Sequence, residues 1–230
     1  MTDLNQRAAI GIDLGGTYIK AGLVTDTGKP VGTWKIPTPS GQGPKEVLKA
    51  MVSLAQNIVD SEAYKQWIAS TSGILAGIGI GSPGLVDYRQ GLVRWGADNI
   101  PGWKGTSIKA SFEEKFRVPI YVNNDTSAYI WGEYLFGAGK DGQFKNALGI
   151  TLGTGVGGGI IVNGHLYRGS HGFAGEPGHT VITDRDDAPP CNCGRCGCLE
   201  AFAGGMNLVN YTLQQVDNYP GTLIPKISET

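Results

Sequence analysis

Apolar positions along the first part of the chain switch between the two-residue period of strands and the 3.6-residue period of helices. A helical spacing of apolar side chains predicts a helix over residues 44–60, with Pro44 in its first turn. A capping residue at its start predicts a helix over 106–116, and 126–139 is a predicted helix that ends on glycines. The strand-like segments are residues 7–13, 18–25, 31–38, 74–82 and 118–124. Strands that alternate with helices in this way indicate an α/β or α+β fold.

A second strand-turn-strand segment, residues 146–164, is similar to the one near the N-terminus. Four residues recur at a constant offset of 138, namely Gly11, Ile12, Leu14 and Gly15 as Gly149, Ile150, Leu152 and Gly153. Two interpretations stay open at this point. The match is a coincidence between glycine-rich segments, or the chain contains a duplicated lobe that holds a ligand between two related hairpins.

Composition and charge exclude several function classes. The 230 residues are 40% hydrophobic and 17% charged with a formal net charge of −1, so there is no basic field of the kind that binds nucleic acid. No run of 18 apolar residues occurs, and the N-terminal residues lack the order of a signal peptide. We therefore expect a cytoplasmic protein with reduced thiols that binds neither nucleic acid nor a membrane. The 37 glycines indicate many tight turns and close approaches of backbone to ligand.

Two glycine-rich turns are candidate phosphate sites. "DLGGT" (13–17) follows a predicted strand with a carboxylate, two glycines and a threonine, and glycines let backbone N–H groups approach an anion. Asp13 is unsuited to phosphate unless a cation such as Mg²⁺ lies between them. Such a turn alone could be an ordinary hairpin. Together with "LGTGVGGG" (152–159) it predicts two phosphate-binding turns, one in each lobe.

Asp125 lies where a predicted strand meets a predicted helix, in "VNND" (122–125). Asn and Asp are favoured as helix N-caps, so the residue could have a purely structural role. It could also be a general base that takes a proton from a substrate hydroxyl. Both interpretations hold if Asn124 caps the helix and Asp125 points into a cleft.

All four cysteines lie within "CNCGRCGC" (191–198), and His179 precedes the first of them by 12 residues. Cys191, Cys193 and Cys198 with His179 would supply three thiolates and one imidazole, a set typical of structural zinc. A disulfide between Cys191 and Cys193 would be strained, and a reducing cytosol opposes disulfides. Cys193 and Cys196 also form a C-x-x-C pair, although such redox pairs are expected near the start of a βαβ unit.

The chain resembles the ROK family of sugar kinases and sugar-responsive repressors, and most closely its bacterial glucokinases, from residue 8 to about residue 205. The matching motifs, in the family's order, are "GIDLGGTYIKAGLV", "GIGSPGLVD", "NIPGW", "NNDTSA", "LGTGVGGGI", "GEPGH" and "CNCGRCGCLE". Seven motifs in register favour the duplicated lobe over coincidence.

The resemblance implies an α/β, two-lobed actin/hexokinase-like (ribonuclease H-like) ATPase fold, with lobes at residues 1–122 and 123–230. It implies Asp125 as the catalytic base. Residues that would face ATP phosphates and Mg²⁺ are Asp13, Gly15, Gly16, Thr17, Gly153, Thr154 and Gly155. Residues that would bind the sugar are Asn99, Asn124, Asp125, Glu176, His179 and Glu200. Residues that would bind structural Zn²⁺ are His179, Cys191, Cys193 and Cys198, with Cys196 as a spare thiol able to replace Cys198.

The function implied is ATP-dependent phosphorylation of a hexose at its 6-hydroxyl, with glucose as the expected sugar. Fructokinase, N-acetylmannosamine kinase, allose kinase and a polyphosphate-dependent glucokinase are alternatives. A repressor is disfavoured because the first phosphate turn at residue 13 leaves no room for a preceding DNA-binding domain. ROK kinases usually extend beyond this length, so we expect a truncated C-terminal lobe with a weakened adenine site, and a non-catalytic sugar-binding remnant stays open. A homodimer or tetramer is expected from the family.

Overall fold

Five strands form the first sheet of the molecule. The computed structural model describes residues 6–96, 99–140, 142, 144–219 and 221–222. The first seven strands are β1 (Arg7–Leu14), β2 (Tyr18–Thr25), β3 (Pro30–Pro37), β4 (Ile74–Ser82), β5 (Leu85–Asp87), β6 (Leu92–Trp95) and β7 (Ile120–Asn124). The sheet order is β3-β2-β1-β4-β7, with β4 parallel to β1 and β7, and β5 and β6 form a separate hairpin. The five predicted strands are confirmed, with ends that differ by at most two residues.

Helices pack on this sheet through the apolar side chains that recur at helical spacing. The first three are α1 (Pro44–Asp60), α2 (Glu62–Thr71) and α3 (Ile108–Glu113). The prediction for α1 is confirmed at both ends, and its buried residues are Val47, Met51, Leu54, Ala55 and Ile58. Helix α3 is shorter than the predicted 106–116. Residues 114 and 115 form a turn, and Pro119 further along requires the residue that precedes it to be extended. The sequence did not predict α2.

The second sheet has three antiparallel strands, β8 (Ala147–Leu152), β9 (Val156–Val162) and β10 (His165–Tyr167), in the order β10-β9-β8. Helix α4 (Asp125–Phe136) packs on it through Ile130. A methyl group added at Gly159 would lie 3.0 Å from the Ile130 Cβ, so the glycines of β8 and β9 let the helix approach the sheet closely. Helix α4 ends three residues before the predicted limit at 139.

The repeat seen in the sequence corresponds to two similar hairpins. Strands β1 and β2 pair antiparallel and continue into β3, and β8 and β9 pair antiparallel and continue into β10. The two hairpins differ in burial, since Leu14 is fully buried and its counterpart Leu152 is 73% exposed. Strand β1 lies between β2 and β4, whereas within the described residues β8 pairs with β9 alone.

Two further helices follow the cysteine-rich segment, α5 (Leu199–Ala203) and α6 (Gly205–Gln215), and neither was predicted. No helix among the described residues is long and apolar enough to cross a membrane. The lobe boundary between residues 122 and 123 stays a prediction. The outer ends of the two predicted lobes, residues 1–5 and 223–230, lie outside the described residues.

Candidate functional site

The register of the first sheet brings two carboxylates to the same edge of the sheet, one from β1 and one just after β7, on either side of β4. Asp13 in β1 pairs with Gly81 in β4, and Gly81 pairs with Asn123 in β7. Asp125 follows Asn123 by two residues at the start of α4, and a methyl group added at Gly81 would lie 3.2 Å from the Asp125 Cα. Because Gly81 has no side chain, the backbone of Asp125 lies directly over β4, on the side of Asp13.

Asn124, and not Asp125, caps helix α4. The Asn124 Oδ1 accepts hydrogen bonds from the Ser127 N–H at 2.9 Å and from the Thr126 hydroxyl at 2.7 Å. Its Nδ2 donates to the Gly84 carbonyl at 3.2 Å. The Asp125 Oδ1 accepts a local bond from the Thr126 N–H at 2.8 Å, and an interaction with the Asn124 side chain also lowers the pKa of Asp125. The cap is therefore supplied by its neighbour, and the Asp125 carboxylate lines the cleft.

The cleft between the two sheets contains both carboxylates. Its lining residues are Asp13, Asp125, Thr126, Tyr129, Ile150, Thr151 and Leu152. Burial raises the pKa of Asp125, and the nearby Asp13 carboxylate raises it further, against the opposing effect of the hydrogen bond from Thr126. A carboxylate whose pKa is raised is a stronger base than an ordinary aspartate, which suits proton abstraction.

The first glycine turn, residues 14–17, is braced from the neighbouring strand. The Gly15 N–H donates to the Tyr18 carbonyl at 3.0 Å. The Thr38 hydroxyl donates to the Gly15 carbonyl at 2.7 Å, and the Thr38 N–H donates to the Thr17 carbonyl at 2.9 Å. Thr38 is not among the residues predicted for the site. Its place at the end of the strand that pairs with β2 could have indicated it, because antiparallel pairing puts that end beside the turn.

Asn99 lies against this first turn. A methyl group added at Gly16 would lie 2.7 Å from the Asn99 Nδ2. The absence of a side chain at Gly16 therefore lets the Asn99 amide approach the turn backbone. The structure thus places a predicted sugar ligand directly beside a predicted phosphate turn, and both assignments stay predictions.

The second glycine turn, residues 153–155, is held by the segment that follows the cysteines. The Gly153 N–H donates to the Gly155 carbonyl at 3.0 Å and closes the turn. The first N–H groups of α6, from Gly205 and Met206, donate to the carbonyls of Gly153 and Thr154 at 2.9 and 3.3 Å. The turn's own carbonyls are thereby occupied by protein donors.

Three acidic side chains interact in this region: Asp125, Glu176 and Glu200. Burial raises the pKa of Glu176 to about 7, and repulsion from Asp125 and then from Glu200 contributes to the shift. Glu176 precedes the single-turn 3₁₀ helix Pro177–His179, so its backbone is fixed close to His179. Half-buried carboxylates of this kind need hydroxyl or cationic partners, which a polyhydroxylated ligand supplies.

Four of the candidate metal ligands form one cluster. The ligand atoms of His179, Cys191, Cys193 and Cys198 all lie within 4.8 Å of one another. The Cys191 Sγ is 3.5 Å from the His179 Nδ1, and the Sγ atoms of Cys193 and Cys198 are 3.7 Å apart. A tetrahedral zinc with Zn–S bonds of about 2.3 Å requires S–S separations near 3.8 Å, so the set fits zinc.

Cys196 lies outside the cluster and is exposed, although it is only two residues from Cys198. A bridge between Pro190 and Cys196 folds the segment back on itself, and Gly197 between the two cysteines has a φ of 76°, so Cys196 and Cys198 do not share one face as alternate residues of a strand would. Burial raises the pKa of Cys191 to about 12. Burial acts in the same direction at Cys193, but hydrogen bonds from Arg195 and the neighbouring thiols lower its pKa to about 7.

A mixed sheet joined to a second, hairpin-based sheet, with strand residues from each lining a common cleft, is the architecture of the actin/hexokinase-like ATPases. The ROK family's sequence profile matches residues 9–229, and the chain belongs to the ROK family.

Sequence relatives in the family include kinases and repressors. A glucokinase of Halalkalibacterium halodurans is 38% identical over 217 residues, which is 94% of this chain and 62% of that protein. A xylose repressor of Caldicellulosiruptor bescii is 35% identical over 201 residues, 87% of this chain and 47% of that protein. The chain therefore spans about three-fifths of the kinase's length and half of the repressor's.

Among solved structures, a ROK family glucokinase from Streptomyces griseus in complex with glucose and AMPPNP superposes with a TM-score of 0.73 and 35% identity. The superposition covers 94% of this chain and 64% of the other. That protein binds both a hexose and an ATP analogue.

Proposed function

We propose that this chain phosphorylates a hexose, with glucose as the substrate and ATP as the donor. The observation that carries the proposal is the position of the Asp125 carboxylate, which lines the cleft together with Asp13 while Asn124 supplies the helix cap. The glucokinase relatives support the same activity.

In the proposed reaction Asp125 accepts the proton of the sugar 6-hydroxyl while that oxygen forms a bond to the γ-phosphorus of ATP. The bond between the γ-phosphorus and its bridging oxygen breaks, and ADP leaves. Phosphoryl transfer depends mainly on alignment and neutralisation of charge, which the two glycine turns would supply with backbone N–H groups. Mg²⁺, which Asp13 would hold, neutralises phosphate charge when it is bound.

The sugar would occupy the polar region beside Asp125. Proposed ligands are Asn99, Asn124, Asp125, Glu176, His179 and Glu200. Each hydroxyl of a hexose that leaves water needs a donor or acceptor, and this set offers carboxylates, amides and an imidazole. With zinc on the His179 Nδ1, the Nε2–H of the same ring would remain to donate to a sugar oxygen.

We assign the cysteine cluster a structural zinc, bound by His179, Cys191, Cys193 and Cys198. The ion would fix the loop that carries Glu176 relative to the helix that carries Glu200, and it would take no part in the chemistry. Four protein ligands leave no open position for substrate, as in other structural zinc sites.

The second candidate function is sugar sensing without turnover. The similarity to xylose repressors, at 35% identity, favours it specifically. Such a protein would bind a sugar through the same residues and would leave ATP unused.

A spectroscopic assay of sugar phosphate formation with ATP, Mg²⁺ and a panel of hexoses tests the proposal. Glucose should give the highest kcat/KM. Calorimetric sugar binding without turnover on any hexose, with ATP or polyphosphate as donor, would reject the kinase and favour the sensor.

A further inference from the structure

Glu200 connects the sugar region to the second glycine turn. Its Oε2 accepts a hydrogen bond from the Val156 N–H at 2.8 Å, across 44 residues of sequence. Val156 is the first residue of β9 and follows the turn directly, and its side chain is buried. The carboxylate also lies against Gly155, where an added methyl group would collide with Oε2.

The other oxygen of Glu200 is available for a ligand. In the part of the chain that the structure describes, Oε1 accepts no hydrogen bond from protein, whereas Oε2 is committed to Val156. A carboxylate accepts bonds on both oxygens at once, so a sugar hydroxyl on Oε1 leaves the bond to Val156 intact. A sugar hydroxyl bonded to Oε1 would restrict rotation of the Glu200 side chain and would thereby hold Oε2 more firmly on the Val156 N–H.

The backbone that carries Glu200 is itself well anchored. The Asn207 Nδ2 and the Gly204 N–H both donate to the Glu200 carbonyl at 2.8 Å, and Leu199 donates to the Thr180 carbonyl at 2.9 Å. Cys198 precedes helix α5 as its N-cap residue. The side chain therefore extends from a fixed base to the turn.

We infer that Glu200 is a positioning residue for the second phosphate turn, which couples sugar binding to phosphate binding through the two oxygens of one carboxylate. The inference rests on the proposed function for the identity of the two ligands. By linkage, a sugar that stabilises the bound form of the turn raises the affinity for the nucleotide, and the nucleotide raises the affinity for the sugar by the same factor.

Two conservative variants separate this role from a general structural one. In Glu200→Gln the side chain keeps its length, and its amide oxygen can still accept from Val156 while its N–H₂ faces the sugar. In Glu200→Asp the carboxylate is kept but is one methylene shorter, so it cannot reach the Val156 N–H from the same backbone. If Glu200→Asp loses the positioning of the turn and Glu200→Gln keeps it, the length of the side chain, and not its charge, is the property that positions the turn.

The test combines two measurements on the whole chain. Hydrogen exchange of the segment 150–158 should be roughly tenfold or more faster in Glu200→Asp than in the wild type and little changed in Glu200→Gln, with exchange in α1 unaffected in all three. Calorimetric titration of glucose with and without Mg²⁺ and AMPPNP should show coupling in the wild type and Glu200→Gln, and a ratio of Kd values near one in Glu200→Asp.

Equal exchange of the turn in Glu200→Asp and the wild type would overturn the positioning role. If glucose and nucleotide binding remained coupled to the same extent in Glu200→Asp, Glu200 would not be the residue that couples them. If the wild type bound no glucose, the proposed function and the coupling would both be rejected. Faster exchange of the turn in Glu200→Asp would in that case still support the positioning role.

Discussion

The backbone of Asp125 lies directly over Gly81, so that a methyl group at position 81 would be 3.2 Å from the Asp125 Cα and 3.6 Å from its Cβ. The contact of 3.2 Å forces a shift of a few tenths of an ångström in one of the two backbones. Strand pairing holds the backbone of Gly81, and the cap of α4 holds that of Asp125, so the shift would move the proposed base.

We expect Gly81→Ala to lower kcat about tenfold while the KM for glucose changes little, because small misplacements of a reacting group are costly to the chemical step. Steady-state kinetics on the purified variant measures both constants. Gly79→Ala is the matched control, since it lies on the same strand and its added methyl group would have no neighbour within 4 Å. A kcat for Gly81→Ala equal to that of this control would mean that Asp125 needs no such exact placement.

Glu176 should destabilise the sugar-free protein at neutral pH. Burial raises its pKa from 4.5 to about 7 in the folded protein, so between these values the folded state binds more protons than the unfolded state. The free energy of unfolding therefore falls as pH rises through this window, and the loss is complete above pH 7. A shift of this size corresponds to about 3 kcal/mol.

Glu176→Gln removes this titration, so its stability relative to the wild type should increase from pH 5 to pH 8. Urea unfolding at several pH values, without sugar, measures the difference. Glu114→Gln changes an exposed carboxylate and should give a curve parallel to that of the wild type. A parallel curve for Glu176→Gln as well would show that Glu176 is ionised in the folded protein throughout this range.

The zinc assignment predicts different results for two cysteines that are two residues apart. Cys198→Ser should purify without stoichiometric zinc, because the fully buried thiol at 198 belongs to the four-ligand cluster. Cys196→Ser should keep one zinc per chain, because that thiol is exposed and lies outside the cluster. Elemental analysis of both purified variants decides the matter, and the reverse pattern would assign the fourth ligand to Cys196.

Much of the first sheet could be predicted from local sequence, since α1 and β4 have the apolar spacing of long, regular elements. The elements that were missed have weaker signals. Strands β5, β6 and β10 have only three or four residues, and helix α6 buries none of its residues. The zinc ligands could be proposed from spacing, but the separation of Cys196 from the cluster depends on how the segment folds back on itself.

The site could be predicted only in part for a similar reason. The proximity of Asp13 and Asp125 depends on the register of three parallel strands, which local sequence does not encode and which the family resemblance supplied. The bond from Val156 to Glu200 spans 44 residues, and the brace from Thr38 to Gly15 spans 23. No motif contains both members of either pair.

Asp125→Asn tests directly whether Asp125 is the base. The asparagine keeps the size of the side chain and leaves the cap at Asn124 in place, while its neutral amide cannot accept the hydroxyl proton. Single-turnover phosphorylation of glucose should slow by about 10²-fold or more, with calorimetric glucose affinity within a few-fold of the wild type. A variant that binds glucose and phosphorylates it at the wild-type rate would show that Asp125 is not the base.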